Sequence, residues 1–472
     1  MKKLFASLAF AAMIFVPAFA QEQGQEQEQE KVMTLTVERA VELAKENSKT
    51  LKSAEIDLEM KKRASQYSWN VFLPKVQASF SAARTTELDL DQANSMIGMA
   101  NALGQIASAL PGGKPYVPQE FISEKEKYHW ALVGEVSASL NLSLAYIGKI
   151  RAAKVDYECG KITWEQSQKQ TLMNIKKLFY GLLLQQESLG VKKATLENAR
   201  QRAEQAEVNY KNGLIPELRL LNAQVTYENQ KPEVESAQQS LNQAMNNFVF
   251  LIGLPVGTKI QLEGSIEPSY VDVKSDELLE KYADNSLDYQ NLRGSIESLK
   301  LNLSALDLSS YTPALVLSYN YQPMKTFVSD DSKWNDQGKF AASLVWNLTD
   351  MLPFSANRQK AADIKANLKK LELKMEILKE NQKVQVMKAV DTLNQAREQI
   401  DSMGRNITLA QRAYDSSARS YRNGTTELLD LRDSESQLNQ AKLGQLNQKF
   451  NYISALMDLE YTLNADLSSY KE

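Results

Sequence analysis

The sequence predicts an α+β protein in which one unit of long helices and paired strands occurs twice. Two observations carry this prediction. Apolar residues recur every seven positions over two long segments, which indicates helices that pack along their whole length. Four shorter segments alternate small polar and apolar residues, which indicates strands of a sheet with two unlike faces.

The start of the chain has the layout of a cleavable secretory signal over residues 1–20. Lys2 and Lys3 precede an apolar run, and Ala18-Phe19-Ala20 ends it. Residues 21–33 are polar and are predicted to be disordered. No later segment approaches the roughly 20 continuous apolar residues of a membrane-spanning helix. A mature chain that crosses a membrane must therefore use strands.

The residue inventory argues against an enzyme, a metal site or a cofactor site. His129 is the only histidine and Cys159 the only cysteine, so neither a zinc site nor a His-based catalytic set can be assembled easily. A buried helical thiol and an interfacial or loop histidine are the simpler interpretations. No phosphate-binding or dinucleotide-binding motif is present. The formal charge of −3 also argues against a nucleic-acid partner.

Two heptad ladders run in phase at an offset of 211 residues (421 minus 210). The first consists of Tyr210, Ala203, Leu196, Leu189, Leu182 and Ile175, and the second of Tyr421, Tyr414, Ile407, Ile400, Leu393 and Val386. They predict long helices over residues 151–211 and 358–422. Each ladder ends at Asn-Gly, which predicts a turn, and return helices are predicted over 217–250 and 427–463. Pro216 should begin one return helix, Thr425 or Thr426 should cap the other, and Pro232 should kink the first.

Alternating segments precede both long helices. Strands are predicted over 75–82 and 130–144 in the first repeat and over 314–321 and 340–349 in the second. Pro74 and Pro313 end shorter helices, about 37–70 and 276–309, immediately before the first strand of each pair. Four strands cannot close into a barrel, and an open sheet edge is excluded in lipid. If the apolar face contacts lipid, three chains would give a closed barrel of 12 strands.

At this point the chain resembles the outer membrane efflux protein family, the TolC-like channels, over roughly residues 34–465. The resemblance rests on the duplicated order of elements, the Pro74 and Pro313 junctions and the paired Tyr-x-x-Gly turns. It implies a homotrimer whose 12-stranded outer-membrane β-barrel, four strands per chain, continues into a long α-helical coiled-coil tunnel in the periplasm. It also implies a passive exit duct for drugs or proteins, with a periplasmic adaptor, an inner-membrane pump and outer-membrane lipid as partners.

The resemblance also assigns roles to the hairpin tips. Gly213-Leu214 and Gly424-Thr425 match the tip pairs that meet the adaptor, while Tyr421, Asp430 and Asp433 match residues that line a closed entrance. Two carboxylates three positions apart share a helix face and would converge with their copies in a trimer. The same acids could instead stabilise a helix N-terminus or lie in solvent.

One position departs from the family pattern. Where the family often carries an arginine two residues after the second-tip glycine, this chain has Thr426, and Arg219 stands on the first hairpin where an acid is expected. One interpretation is that the charges are exchanged between the hairpins, so that Arg219 pairs with Asp430 or Asp433. A solvated Arg219 is the alternative.

The predicted organisation is complete with three further segments. The first repeat covers 34–250, residues 251–275 form an equatorial connector, and the second repeat covers 276–465, followed by a tail at 466–472. Residues 83–129 form a long external loop with a possible amphipathic helix through Met96, Ile97, Leu103, Ile106 and Leu110. The alternative for the whole chain is a soluble periplasmic coiled-coil adaptor or scaffold, which explains the heptads but gives the four alternating segments no role.

Overall fold

The computed structural model describes residues 33–85, 90–109, 115–121, 129–326, 334–423 and 425–470. The helices are α1 Val37–Asn47, α2 Lys49–Gln66, α3 Leu90–Ala109, α4 Ala145–Lys211, α5 Glu217–Leu251, α6 Ser275–Tyr282, α7 Leu287–Tyr311, α8 Ala356–Arg422 and α9 Leu428–Leu463. The strands are β1 Met33–Leu35, β2 Lys75–Thr85, β3 His129–Leu142, β4 Ile260–Leu262, β5 Ala314–Thr326 and β6 Asn335–Val345. The predicted secretory signal lies outside the described residues.

The order of elements repeats, as the sequence predicts. In each repeat, a broken helix is followed by two strands, then by a very long helix and a shorter return helix. These elements are α1–α2, β2, β3, α4 and α5 in the first repeat, and α6–α7, β5, β6, α8 and α9 in the second. Both α4 and α8 have 67 residues, which corresponds to roughly 100 Å of helix. The α+β fold with an internal repeat is therefore confirmed.

The heptad ladders face the cores of the two repeats. Ile175, Leu182 and Leu189 of α4 are buried with residues of α1 and α5 in one cluster. Val386, Leu393 and Ile400 of α8 are buried with residues of α6 and α9 in a second cluster. Seven-residue spacing keeps one side of each helix towards its partner over many turns. Burial follows the ladder at these positions, whereas Tyr210 at the tip is exposed.

Several predicted boundaries are wrong at the strands. The segment predicted as strand 130–144 ends at Leu142, because Ser143 accepts hydrogen bonds from the first turn of a helix that begins at Ala145 rather than at 151. The segment predicted as 340–349 is the earlier strand β6, which ends at Val345 before a short 3-10 turn at Leu348–Met351. Strands β2 and β5 extend beyond 82 and 321, since ladder hydrogen bonds do not require alternating side chains.

The short leading helices are also interrupted. The helix predicted over 37–70 breaks at Ser48, which is buried and extended with φ −60° and ψ 120°. The helix predicted over 276–309 breaks at a 3-10 turn, Ala283–Asn285. By contrast, α5 continues as one helix through Pro232.

Both ends of the described chain are held in the middle of the molecule. Strand β1 pairs in parallel with β4 of the connector, so Met33 is ordered although the sequence predicts disorder through residue 33. Leu467, in the predicted tail, is fully buried in the second core cluster. The Tyr470 carbonyl accepts a hydrogen bond from the backbone N–H of Asp272 at 3.1 Å. Residues of the connector therefore contact both ends of the described chain.

Helical membrane crossing has no support in the described part of the chain, where every helix falls short of the required combination of length and apolarity.

Candidate functional site: sheet and hairpin tips

Four strands form one antiparallel sheet in the order β2-β3-β5-β6. Its register places the apolar residues of all four strands in common rows. One row is Val76, Ala138, Tyr319 and Phe340, and the neighbouring polar row is Gln77, Ser137, Asn320 and Lys339. Because side chains alternate along a strand, the two rows point to opposite faces. One face of the sheet is therefore apolar and the other polar.

The apolar face is uncovered in the single chain. Val76, Phe80, Phe340 and Leu344 are 66 to 72% exposed, far more than large apolar side chains in a folded core. On the polar face, the Asn320 amide donates a hydrogen bond to the Glu135 carboxylate at 2.9 Å. A soluble protein would bury the apolar face, so a sheet that exposes this face must contact lipid or another apolar surface.

The two edges of the sheet are open. Strands β2 and β6 each have one neighbour among the described residues. Their outer backbone groups can pair with another strand. Because all three contacts are antiparallel, β6 and β2 run in opposite directions, and β6 of one copy can pair with β2 of the next without breaking the alternation.

The first hairpin tip is a tight turn between α4 and α5. Gly213 has φ +69°, a left-handed conformation that favours glycine. The N–H of Gly213 donates to the Tyr210 carbonyl and that of Leu214 to the Asn209 carbonyl, both at 2.8 Å. Leu214 is left 71% exposed at the end of the hairpin. Pro216 precedes the return helix as its N-cap residue rather than lying in its first turn.

The second tip joins α8 to α9, and Gly424 lies outside the described residues. Thr425 is exposed, and its hydroxyl donates to the Ser420 carbonyl at 3.0 Å. It closes the end of α8 instead of capping α9. The predicted cap by Thr425 or Thr426 is wrong, because Glu427 occupies the N-cap position and α9 begins at Leu428.

The predicted gate residues lie near the hairpin tips, at the end of α8 and the starts of α5 and α9. Tyr421 is half-buried near the end of α8, while Asp430 and Asp433 are exposed on the first two turns of α9. Arg219 is exposed near the start of α5. Among the described residues of one chain, Arg219 forms no ion pair with either aspartate. The position of Asp430 in the first turn also suits stabilisation of the helix N-terminus.

An ion pair missed by the sequence analysis joins the two hairpins above the tips. Arg202 of α4 binds the Glu435 carboxylate of α9, and the Asn198 amide donates to the other Glu435 oxygen at 2.7 Å. The Glu435 side chain is only 7% exposed. Burial, reinforced by the nearby negative charge of Glu435, raises the pKa of Tyr414 above its usual value. A charged cluster is thus held between helices of different repeats.

This pair belongs to a polar seam between α4 and α9, which run antiparallel. Lys169 donates to Asn464, Lys177 binds Asp458 at 2.5 Å, and the Asn439 amide donates to the Thr195 hydroxyl at 2.9 Å. The same interface also has apolar contacts, since Ile453 of α9 is buried in the first core cluster with Ile175 and Phe179 of α4. Polar and apolar contacts therefore both hold the two hairpins together.

The single cysteine and the single histidine lie on different elements, α4 and β3. Cys159 is buried on α4, and burial, with Asp156 adding to it, raises the pKa of its thiol. His129 opens β3, opposite Thr85. The described residues contain no cluster of His, Cys, Asp and Glu suited to a metal ion.

The chain has the fold of bacterial outer-membrane channels. It aligns with the CmeC channel of Campylobacter jejuni with a TM-score of 0.69 at 15% identity, covering 92% of this chain and 88% of that one. The VceC protein of Vibrio cholerae aligns with a TM-score of 0.65 at 14% identity, covering 92% and 97%. The open-state MtrE channel of Neisseria gonorrhoeae gives 0.66 at 16% identity, covering 91% and 89%.

The sequence comparisons agree with the fold. Residues 40–254 match the family described as outer membrane efflux protein, so the resemblance inferred from the sequence is confirmed. A curated relative, nodulation protein T of Rhizobium leguminosarum bv. trifolii, is 21% identical over 387 residues, which cover 79% of this chain and 80% of the relative.

Proposed function

We propose that the protein is a trimeric outer-membrane channel that serves as the passive exit duct of an efflux or type I secretion system. The observation that carries this proposal is the four-stranded sheet with an exposed apolar face, a polar opposite face and two open edges. Lipid satisfies the apolar face, and water in a lumen satisfies the polar face. The family match and the fold support the same function, and passage through such a duct needs no catalytic group.

Three copies close the sheet at both edges. A transmembrane strand needs about 9–11 residues, and β2 and β6 each have 11. Four strands lie below the usual minimum of about eight for closure, whereas 12 antiparallel strands form an ordinary barrel. The long helices then continue from the barrel as a tunnel that reaches into the periplasm.

The hairpin tips at the far end of the tunnel are its entrance. Gly213-Leu214 and Gly424-Thr425 would contact the periplasmic adaptor, which joins the channel to an inner-membrane pump. The exposed Leu214 suits an apolar contact with such a partner. Tyr421, Asp430 and Asp433 would line the entrance, where six carboxylates from three copies attract cations.

Arg219 would pair with Asp430 or Asp433 of a neighbouring copy, since it finds no acid partner within the described part of its own chain. Replacing Arg219 by Ala should then loosen the entrance and raise single-channel conductance in planar bilayers. Lys211→Ala is the matched control, because Lys211 is an exposed tip cation already paired with Glu207 on its own helix. Equal conductance of both variants and the parent protein would remove Arg219 from the gate.

One experiment separates the channel from a soluble periplasmic adaptor or scaffold. The full chain is expressed in a Gram-negative host, membranes are washed with carbonate, and the retained protein is examined by native mass spectrometry and in planar bilayers. A channel stays in the outer membrane, has the mass of three chains and conducts ions. A monomer that washes off and forms no pore would refute the proposal.

A further inference from the structure

Helix α3 carries an apolar stripe that nothing in the described chain covers. Met96, Met99, Leu103 and Ile106 are each 62 to 69% exposed. They lie on α3 between β2 and β3, within the segment predicted as an external loop. The prediction of an amphipathic helix in this loop is confirmed, although Ile97 lies on the half-covered side and Leu110 falls outside the described residues.

The opposite side of α3 is covered by residues 115–121, which we call the strap. Asn101 anchors the strap: its side-chain oxygen accepts from the Tyr116 hydroxyl at 2.8 Å and from the Gln119 N–H at 2.7 Å, and its amide donates to the Gln119 carbonyl at 2.8 Å. Gly104 allows the Tyr116 ring to lie against the helix, since a Cβ there would come within 2.4 Å of the ring. One face of α3 therefore binds the strap, and the apolar face has no contact in the described chain.

The exposed apolar face of α3 has the pattern of a coiled-coil interface, and we call it the α3 seam. Its four large apolar residues follow spacings of three, four and three, which are the a and d positions of a heptad. The flanking positions of the same heptads are Ala100, Ala102, Ala107 and Ala109. Small residues at these positions let helices approach closely. Asp91 is the only charged residue between Leu90 and Ala109. The half-covered residues Asn101, Gly104 and Ser108 occupy outer heptad positions.

We propose that the α3 helices of three copies pack together through this stripe and form a cap over the external mouth of the channel. This inference rests on the proposed trimer. Every copy presents the same seam, and three seams can meet at the threefold axis without like-charge repulsion. A helix lying on a lipid surface would instead be expected to carry Lys or Arg on its polar face, and α3 carries none.

The dimensions permit the cap. A 12-stranded barrel with strands about 4.8 Å apart and tilted by about 40° has a radius of roughly 12 Å. The four residues between Thr85 and Leu90 can span roughly 17 Å when extended, so α3 can reach the axis from the end of β2. Helices about 10 Å wide, three around one axis, fill most of such an opening.

Cysteine cross-linking in outer membranes tests the cap. Leu103→Cys places a thiol in the seam, and Gln105→Cys places one on an exposed position of the same helix outside it. The parent protein is the background, because its Cys159 is buried. Under mild oxidation Leu103→Cys should form disulfide-linked dimers on the order of tenfold faster than Gln105→Cys, since thiols at seam positions of adjacent helices lie in contact.

Three results would overturn the cap: equal cross-linking of the two variants, full labelling of Leu103→Cys by a water-soluble maleimide, or quenching of a fluorophore on the thiol of that variant by brominated phosphatidylethanolamine. The last would assign α3 to the membrane surface. Native mass and conductance of the same samples keep the two proposals apart. A trimer that conducts but does not cross-link refutes only the cap, whereas the absence of a trimer refutes the channel.

A second variant measures what the cap does. Leu103→Glu combined with Ile106→Glu puts like charges into the seam and should separate the helices, which raises single-channel conductance and the entry of a large hydrophilic dye from outside. Gln105→Glu adds a charge outside the seam and should change neither. An unchanged conductance in the double variant would contradict a cap over the mouth.

Discussion

Glu435 and Arg202 form a largely buried ion pair between the two hairpins. Replacing Glu435 by Ala leaves the Arg202 guanidinium largely buried without its carboxylate, and breaking a pair of this kind costs about 3 kcal/mol. We expect Glu435→Ala to lower the melting temperature and to raise the conductance of the closed channel. Circular dichroism on heating and planar-bilayer recordings provide the two measurements.

Arg200 supplies the control for this variant. It lies two residues from Arg202 and binds Glu197 and Glu204 on its own helix at the surface. Exposed pairs within one helix contribute little, so Arg200→Ala should leave both readouts near those of the parent. Replacing Arg202 and Glu435 together by Leu should restore most of the stability, because no charge is then left buried alone. If the double variant is no more stable than Glu435→Ala, the ion pair is not what holds α4 and α9 together.

Cys159 should behave as an inert thiol. Burial raises its pKa, so at neutral pH the thiol is protonated and shielded in the folded protein. We expect maleimide to label Cys159 in denatured protein but not in the folded protein, and raising the pH towards 9 should increase native labelling only weakly. Because the folded-state pKa is raised above the unfolded one, the stability linked to this thiol is fully present at neutral pH and is lost as the pH rises from the unfolded pKa through the folded pKa.

Sequence reasoning predicted the turn at the first hairpin tip but missed the ion pair between the hairpins, for a physical reason. The Asn-Gly turn and its glycine are local signals, and Gly213 adopts the left-handed conformation that such a signal predicts. Arg202 and Glu435 are 233 positions apart, and each alone looks like an ordinary charge on a solvated helix face. Their pairing depends on how two hairpins pack, which no local pattern encodes.

A glycine lets one helix from each repeat approach the other closely. Gly148 of α4 lies against α7, where an added Cβ would come within 2.9 Å of the Ala305 Cβ and 3.2 Å of the Leu301 carbonyl oxygen. Gly190 lies on the same helix with open space around it. In the sequence, both glycines are only residues of low helix propensity within a long helix. The packing of α4 against α7 requires Gly148 but does not require Gly190.

Alanine substitution separates these two roles. Gly148→Ala should destabilise the protein by about 1–3 kcal/mol, because the methyl group meets backbone atoms that cannot move away easily. Gly190→Ala should stabilise it by about 0.5–1 kcal/mol through helix propensity. Thermal unfolding followed by circular dichroism distinguishes the two. A stabilising Gly148→Ala would mean that α4 and α7 are farther apart than the structure places them.

The types of the long helices and of the four strands of the main sheet were predictable, but their ends were not, and the short strands β1 and β4 were not predicted. Periods of seven and two are local and correctly separate α4 and α8 from β3 and β5. The end of β6 at Val345 depends on which residues of β5 lie opposite, and the break at Ser48 depends on a buried site between two helices. Both are properties of the assembled repeat.

For the molecule as a whole, the two faces of the sheet decide whether it can be a channel. The sequence predicts the alternation in each strand, but the alignment of all four apolar sets on one face depends on the strand register. Phe340 and Ala341 are neighbours in the middle of β6 that point to opposite faces: Phe340 lies opposite Tyr319 in the apolar row, and Ala341 lies opposite Ser318 in the polar one. A charge at position 340 would therefore lie on the apolar face, and the same charge at position 341 would lie on the polar face.

Arginine at these two positions provides the sharpest test of that assignment. Phe340→Arg puts a charge towards the lipid near mid-bilayer, which costs about 2–4 kcal/mol, so the amount of trimer assembled in the outer membrane should fall severalfold. Ala341→Arg adds the same side chain towards the lumen; it should leave assembly intact and shift ion selectivity towards anions, as reversal potentials in a salt gradient would show. Equal assembly of both variants would mean that the apolar face does not contact lipid, and the barrel would then lose its physical basis.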